Sequence, residues 1–214
     1  MMNQGITVNG LHSFRDFGLT ISSKNVTLPP KKVIRETVPF ANGSYDFSKM
    51  SGEINFGDRQ ANYTFDIVAS SIVEMQKLRS DVASWIMMVH EAKIFDDDYP
   101  GYHFLGSYTS NSWHEDSEYG EASFTFDCYP FLISNDSKVY SMATGTHELT
   151  NNGSHRAIPT IHCPFEATIQ IGDDVYSFSP GTYNDSGIVL EVGMNIWSTI
   201  SDGIITVTFY EEVL

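Results

Sequence analysis

The chain reads as a mainly β protein with a single long helix, followed by a smaller antiparallel β-sandwich. Two observations carry this. Alternating aromatic and β-branched runs recur through the sequence, as in Asn62–Ile67, where Tyr63, Phe65 and Ile67 point one way and Asn62, Thr64 and Asp66 the other. Only one stretch, Ser71 to His90, holds a helical period over several turns, with Ile72, Met75, Leu78, Val82, Trp85, Ile86 and Val89 spaced mostly by three and four.

Taken in order, residues 5–22 form one or two strands around a tight Asn9-Gly10 turn. Pro29-Pro30 excludes helix from the loop that follows, and Val33–Phe40 reads as a strand. Glu53–Phe56 is expected to pair with the 62–67 strand through a Gly57-Asp58 turn, a hairpin that feeds the helix. Ser71-x-x-Glu74 opens that helix as a capping box. Asp96-Asp97-Asp98-Tyr99-Pro100-Gly101 begins like a calcium loop. It departs from one at Pro100 and at Ser107, where a bidentate Glu is needed, so a solvated turn is expected. Tyr102–Tyr108 is a strand, Asn111–Glu121 an exposed loop, and Ala122–Leu132 a strand with Phe124, Phe126 and Cys128 on one side. A polar stretch, Ser134–Gly153, contains the domain boundary near its start, dividing the chain into 1–134 and 135–214. Short strands at 165–171, 175–178, 188–192 and 205–209 then make the sandwich.

Composition narrows the function classes. Twelve basic and 27 acidic residues give a net charge of −15, which disfavours sequence-specific nucleic-acid binding. Residues 139–214 carry one base, Arg156. Such an acidic surface serves solubility or a cationic partner. No apolar run reaches the roughly 18 residues that span a bilayer, and the N-terminus lacks a signal-peptide pattern, so folding in the cytosol is expected. Cys128 and Cys163 are then expected as reduced, buried thiols.

A search for chemistry ends without catalytic, cofactor-binding or metal-binding residues. Nucleophile elbow, phosphate loop, dinucleotide fingerprint and zinc-protease motif are all missing from the sequence. His114-Glu115-Asp116 with Glu118 is the one group that can be drawn as a metal cluster, in a segment polar enough to be plain surface. Trp197, Tyr176 and Tyr183 are the candidates for sugar-stacking platforms, with core packing as the other reading of each.

Several weak motifs, in order, carry a resemblance. Asp16-Phe17-Gly18-Leu19 follows the Asn-Gly turn; Tyr45-Asp46-Phe47-Ser48, Gly52–Phe56, Asp58-Arg59 and Asn62–Ile67 lead into the helix. A strand ends in Cys128-x-Pro130-Phe131, and Asn152-Gly153-Ser154, Ala157-x-Pro159-x-Ile161, Gly193-x-Asn195 and a closing Thr-Val-Thr-Phe strand complete the series. Together they resemble the distal tail proteins of siphophages, the Dit family. The resemblance departs from the family pattern at Asn151-Asn152-Gly153, where Asn-Pro-Gly is usual.

The resemblance implies a β-sandwich or barrel-like ring domain with one helix, followed by a galectin-like sandwich. It implies a non-enzymatic, hexameric hub at the virion tail tip, assembled in the bacterial host cytoplasm from a phage or prophage. Its partners would be the tail tube protein, the tape-measure protein, the tail-associated protein and the receptor-binding protein. The alternative left open is a carbohydrate-binding protein that contacts host cell-wall polysaccharide.

Overall fold

The computed structural model describes residues 4–37, 39–40, 42–48 and 54–214. The chain divides into two compact units, Met1–Pro130 and Phe131–Leu214.

In the first unit, β1 (Ile6–Val8) and β2 (Leu11–His12) form a hairpin whose turn places Asn9 and Gly10 at positive φ, 51° and 81°. This is the turn that Asn-Gly favours, because its twist matches that of the paired strands. A short helix α1 (Ser13–Phe17), unforeseen in the sequence, follows and stops at Gly18, which takes the left-handed conformation at φ 70°. Then come β3 (Thr20–Val26), the two-residue strands β4 (Arg35–Glu36) and β5 (Tyr45–Asp46), β6 (Arg59–Val68), helix α2 (Ile72–Ile86), β7 (Ala92–Asp96), β8 (Tyr102–Asp116) and β9 (Tyr119–Cys128). The main sheet is antiparallel, in the order β3-β6-β9-β8-β7-β1-β2.

The alternation of β6 is expressed as expected: Tyr63, Phe65 and Ile67 are buried, and Tyr63 and Phe65 meet Phe126 and Phe124 of β9. Each such side chain contributes roughly 1.5–3 kcal/mol by leaving water. The expected pairing partner of β6 is corrected, however. β3 and β9 flank it, whereas Phe56 bridges to Lys31 and Glu53 lies outside the described residues. Hydrophobic periodicity fixes which face of a strand is buried, not which strand lies beside it.

Helix α2 begins where the capping residues require. Ser71 Oγ accepts the Glu74 N–H at 3.2 Å. The returning Glu74 carboxylate reaches the Ser70 N–H at 2.8 Å and the Ser70 hydroxyl, one residue before the position a standard box uses. Met75, Val82, Trp85 and Ile86 are buried, while Ile72 is exposed and the helix ends at Ile86, a turn short of His90. Trp85 stacks on Phe17 at 4.7 Å and donates its indole N–H to the Val8 carbonyl at 2.9 Å.

Two further expectations change. Asn111–Glu121 is not a loop: β8 and β9 continue through it as a long hairpin whose turn holds Ser117 at φ 57°. Polar residues on both faces hid those strands, since neither face is buried there. Val33–Phe40 contributes only Arg35–Glu36 to a strand, and Val38 lies outside the described residues.

The second unit holds β10 (Leu132–Met142), β11 (Gly145–Asn151), β12 (Thr160–Cys163), β13 (Ala167–Ile171), β14 (Asp174–Phe178), β15 (Gly181–Tyr183), β16 (Gly193–Ser201) and β17 (Ile205–Val213). Two antiparallel four-stranded sheets, β15-β12-β17-β10 and β11-β16-β13-β14, enclose a core of Leu149, Ile161, Ile169, Trp197, Val207 and Phe209 among others. The sandwich expected from the sequence is present. Ile188–Val192 is not one of its strands, because Leu190 makes only an isolated bridge to Ala157.

Candidate functional site

The acidic turn after β7 is solvated at Asp97 and Asp98, as expected, but its first acid is buried and its polar groups are tied to four other elements. Asp96 is 4 % exposed. Its carboxylate accepts the Tyr63 hydroxyl at 2.9 Å, the Lys24 ammonium at 3.1 and 3.3 Å, and the Asp98 N–H at 2.9 Å. Lys24 also pairs with Asp98 and lies 5.1 Å from the centre of the Tyr99 ring. Burial works to lower the Lys24 pKa, but its hydrogen bonds to Asp98 and Asp96 and their negative charges prevail and raise it above 10.5. Burial, then the Asp96 charge and hydrogen bond, drive the Tyr63 phenol far above its ordinary value.

The middle acid of the run ties in the amino-terminal hairpin. Asp97 accepts the Gly5 N–H at 3.0 Å and meets His12 Nε2 at 3.1 Å. His12 Nδ1 in turn accepts the N–H groups of Phe14 and Arg15, at 3.0 and 3.1 Å, and so caps α1. With Nδ1 an acceptor on two sides, the proton of the neutral ring sits on Nε2 and is donated to Asp97. The turn therefore fastens β1, α1, β3 and β6 to the end of β7. Where a calcium loop would hold a metal, a lysine supplies the positive charge.

The remaining candidates are dispersed. Glu115 accepts the Trp113 indole N–H at 2.6 Å and pairs with Arg79 at 3.5 Å; the β8 alternation puts His114 and Asp116 on the opposite side. Among the described residues, no group of three His, Cys, Asp or Glu side chains is arranged to hold a metal ion. Trp197 is wholly buried in the sandwich core, and Tyr176 and Tyr183 pack against that core, with the Tyr183 hydroxyl bonded to the Ser179 carbonyl at 2.8 Å. As a sugar platform Trp197 is corrected to a core residue, because a stacking face must be open to solvent; Tyr176 and Tyr183 are half-buried against that core.

Both cysteines are free and buried. Burial, outweighing the nearby Arg59 charge, pushes the Cys128 thiol up to about 12 and raises Cys163 as well, so neither is primed as a nucleophile. Arg59 is itself buried beside the Phe104 ring at 5.9 Å, and burial lowers its pKa. Its Nε and Nη2 lack hydrogen-bond partners among the described residues.

What sequence reasoning missed is the segment between β3 and β6. Ile34, Lys32 and Pro30 are joined to Phe47, Asn55 and Gly57 by backbone bonds: Phe47 N–H to Ile34 O and Lys32 N–H to Asn55 O at 2.8 Å each, and Gly57 N–H to Pro30 O at 2.7 Å. Arg35 pairs with Asp46 across it at 3.6 Å, and a cavity of about 510 Å³ opens among Lys31, Lys32, Val33, Arg35, Asp46, Ser48 and Ile54. Every described residue from Pro30 to Phe47 is exposed, Val33, Ile34, Phe40, Tyr45 and Phe47 included. The only signal in the sequence was an apolar content too high for a solvated loop.

The fold so defined is a class in itself: a mainly β unit carrying one amphipathic helix, continued by an eight-stranded antiparallel sandwich. It is the fold of the Dit protein of phage SPP1, described as a paradigm of the hub adsorption apparatus in phages that infect Gram-positive hosts. The two superpose with a TM-score of 0.78 over 99% of each chain at 14% sequence identity. A chain of the phage P2 baseplate in its calcium-activated conformation is similar at a TM-score of 0.50 and 8% identity, over 99% of this chain and 98% of that one. No protein-family model matches the sequence, and no curated protein matches it. At these identities the likeness is one of fold.

Proposed function

We propose that this chain is a structural, non-enzymatic component of a phage or prophage tail tip, a hub that joins the tail tube to the host-adsorption proteins. The observation that carries the reading is the likeness to the SPP1 hub protein across both units, end to end. A single shared sandwich would be common to many functions; two units in the same order, with the helix in the same chain, are far more restrictive. The ordered sequence motifs support it independently.

In this reading the first unit forms a six-membered ring. The ring meets the tail tube protein and the tape-measure protein on one side and the tail-associated and receptor-binding proteins on the other. A polysaccharide-binding role gains nothing from Trp197, which the core encloses.

Light scattering on the purified chain, with negative-stain imaging of the same peak, tests the reading. A closed six-fold ring supports it. A chain that stays monomeric alone and also with purified tail tube protein would overturn it.

A further inference from the structure

The described residues of segment 30–47 are folded, yet all of them are exposed. They share internal backbone bonds, while their large apolar side chains face solvent, from Phe47 at 41 % to Phe40 at 109 % exposure. Ordering a chain segment has an entropic cost that such a segment does not recover by itself, and an apolar surface of this kind marks a docking element. Its charge is also unusual for this molecule. Residues 30–47 carry Lys31, Lys32 and Arg35 against Glu36 and Asp46, in a protein whose net charge is −15.

A complementary surface exists elsewhere on the same unit. The β6–β9 register sets Asp66 directly opposite Glu121 and Val68 opposite Tyr119, all four pointing outward. His114 of β8 lies beside Glu121. Like charges on directly opposed residues destabilise a sheet. Neither the Asp66 nor the Glu121 carboxylate makes a hydrogen bond or ion pair with another described residue. Val68 and Tyr119 are 67 and 66 % exposed, and Ile72 and Val73 are exposed at the start of α2, just downstream. The patch is therefore apolar and acidic, where the segment is apolar and basic.

We propose that the segment around Lys31–Arg35 of one copy docks on the Asp66/Glu121/Val68/Tyr119 patch of a second copy, its lysines neutralising the unpaired carboxylates. Because segment and patch are different surfaces, the contact is head-to-tail, the type that generates closed rings when the rotation per subunit divides the circle. It rests on the hub reading for the number of copies and for nothing else.

The test mixes two single-cysteine additions, Ile34→Cys in one preparation and Tyr119→Cys in another; Cys128 and Cys163 are buried and stay silent. Docking raises the effective concentration of the two thiols, so under mild oxidation the mixed disulfide forms at least about tenfold faster than with Ile34→Cys paired to an exposed control on the second unit, Ile200→Cys. Lys31→Glu/Lys32→Glu on the cysteine-34 partner abolishes that advantage, and Asp66→Lys/Glu121→Lys on the other partner restores it. A mixed disulfide no faster than the control, or one indifferent to both charge reversals, overturns the proposal. Light scattering on the unmodified chain then separates the two ideas: a six-fold ring without the cross-link refutes this docking and leaves the hub reading standing.

Discussion

Replacing Asp96 by Asn tests whether the acidic turn is the fastener described above. The substitution keeps the shape and removes the charge. Asp96 Oδ2 accepts from Tyr63 and Lys24, and Oδ1 accepts from Lys24 and the Asp98 N–H. Whichever oxygen becomes the amide NH2, a new donor faces existing donors, and Lys24 loses half of its neutralising charge. Breaking a buried pair from one side typically costs about 3–5 kcal/mol. Lys24 keeps Asp98, and its side chain is 19 % exposed, which places the effect at the lower end, about 3 kcal/mol. Tyr63→Phe removes one hydrogen bond to a charged acceptor, worth about 1.5 kcal/mol. Since both changes break the same bond, the double variant should lose less than the sum, by on the order of 1 kcal/mol. Native-state hydrogen exchange of the β6 and β7 amides reads the first unit alone, and 3 kcal/mol appears there as roughly a hundredfold loss of protection. An Asp96→Asn protein within about 0.5 kcal/mol of the parent, or strict additivity with Tyr63→Phe, would refute the reasoning.

Four further outcomes follow from the geometry. Alkaline pH should destabilise the first unit. The Cys128 thiol keeps its proton from pH 9.0 to about 12 while the unfolded chain has lost it, so stability is full below 9 and falls through that window, by up to about 4 kcal/mol. The raised Tyr63 and Lys24 values act in the same sense; a Cys128→Ala protein should show a shallower decline in urea midpoint above pH 9. Gly153→Ala should destabilise the sandwich by about 1–3 kcal/mol, because the added methyl would lie 2.5 Å from the Glu212 carbonyl oxygen, a backbone atom that cannot swing aside. Ser71→Ala should cost about 1 kcal/mol through the lost cap on Glu74 N–H, read as a lower thermal midpoint. Trp197→Ala should cost about 3–5 kcal/mol in chemical denaturation, and selective loss of glycan binding from a fully stable Trp197→Ala protein would contradict its core position.

How much was legible varied with burial. The β6 alternation and the α2 stripe were readable because each element has one face in the core, and a buried face imposes its period on the sequence. The Asn9-Gly10 turn was readable because few residues accept two consecutive positive φ angles. The far ends of β8 and β9 were not, because exposed strands paired only through backbone groups leave no hydrophobic signature. The opposite reason hid β16, whose outward Met194, Ile196 and Ile200 flank the buried Trp197 and blur its alternation.

The sequence by itself determined the mainly β class, the position and capping of the single long helix, the sandwich at the carboxyl end and the ordered motifs that resemble tail-tip proteins. All of these rest on local periodicity and turn chemistry, which act over a few residues. Only the tertiary structure decided that β6 lies between β3 and β9, that Lys24 from β3 neutralises Asp96 and Asp98, and that Trp197 faces inward. Lys24 and Asp96 are 72 residues apart in the chain. A charge becomes an anchor through the partner that folding brings to it, and spacing along the sequence does not carry that distance.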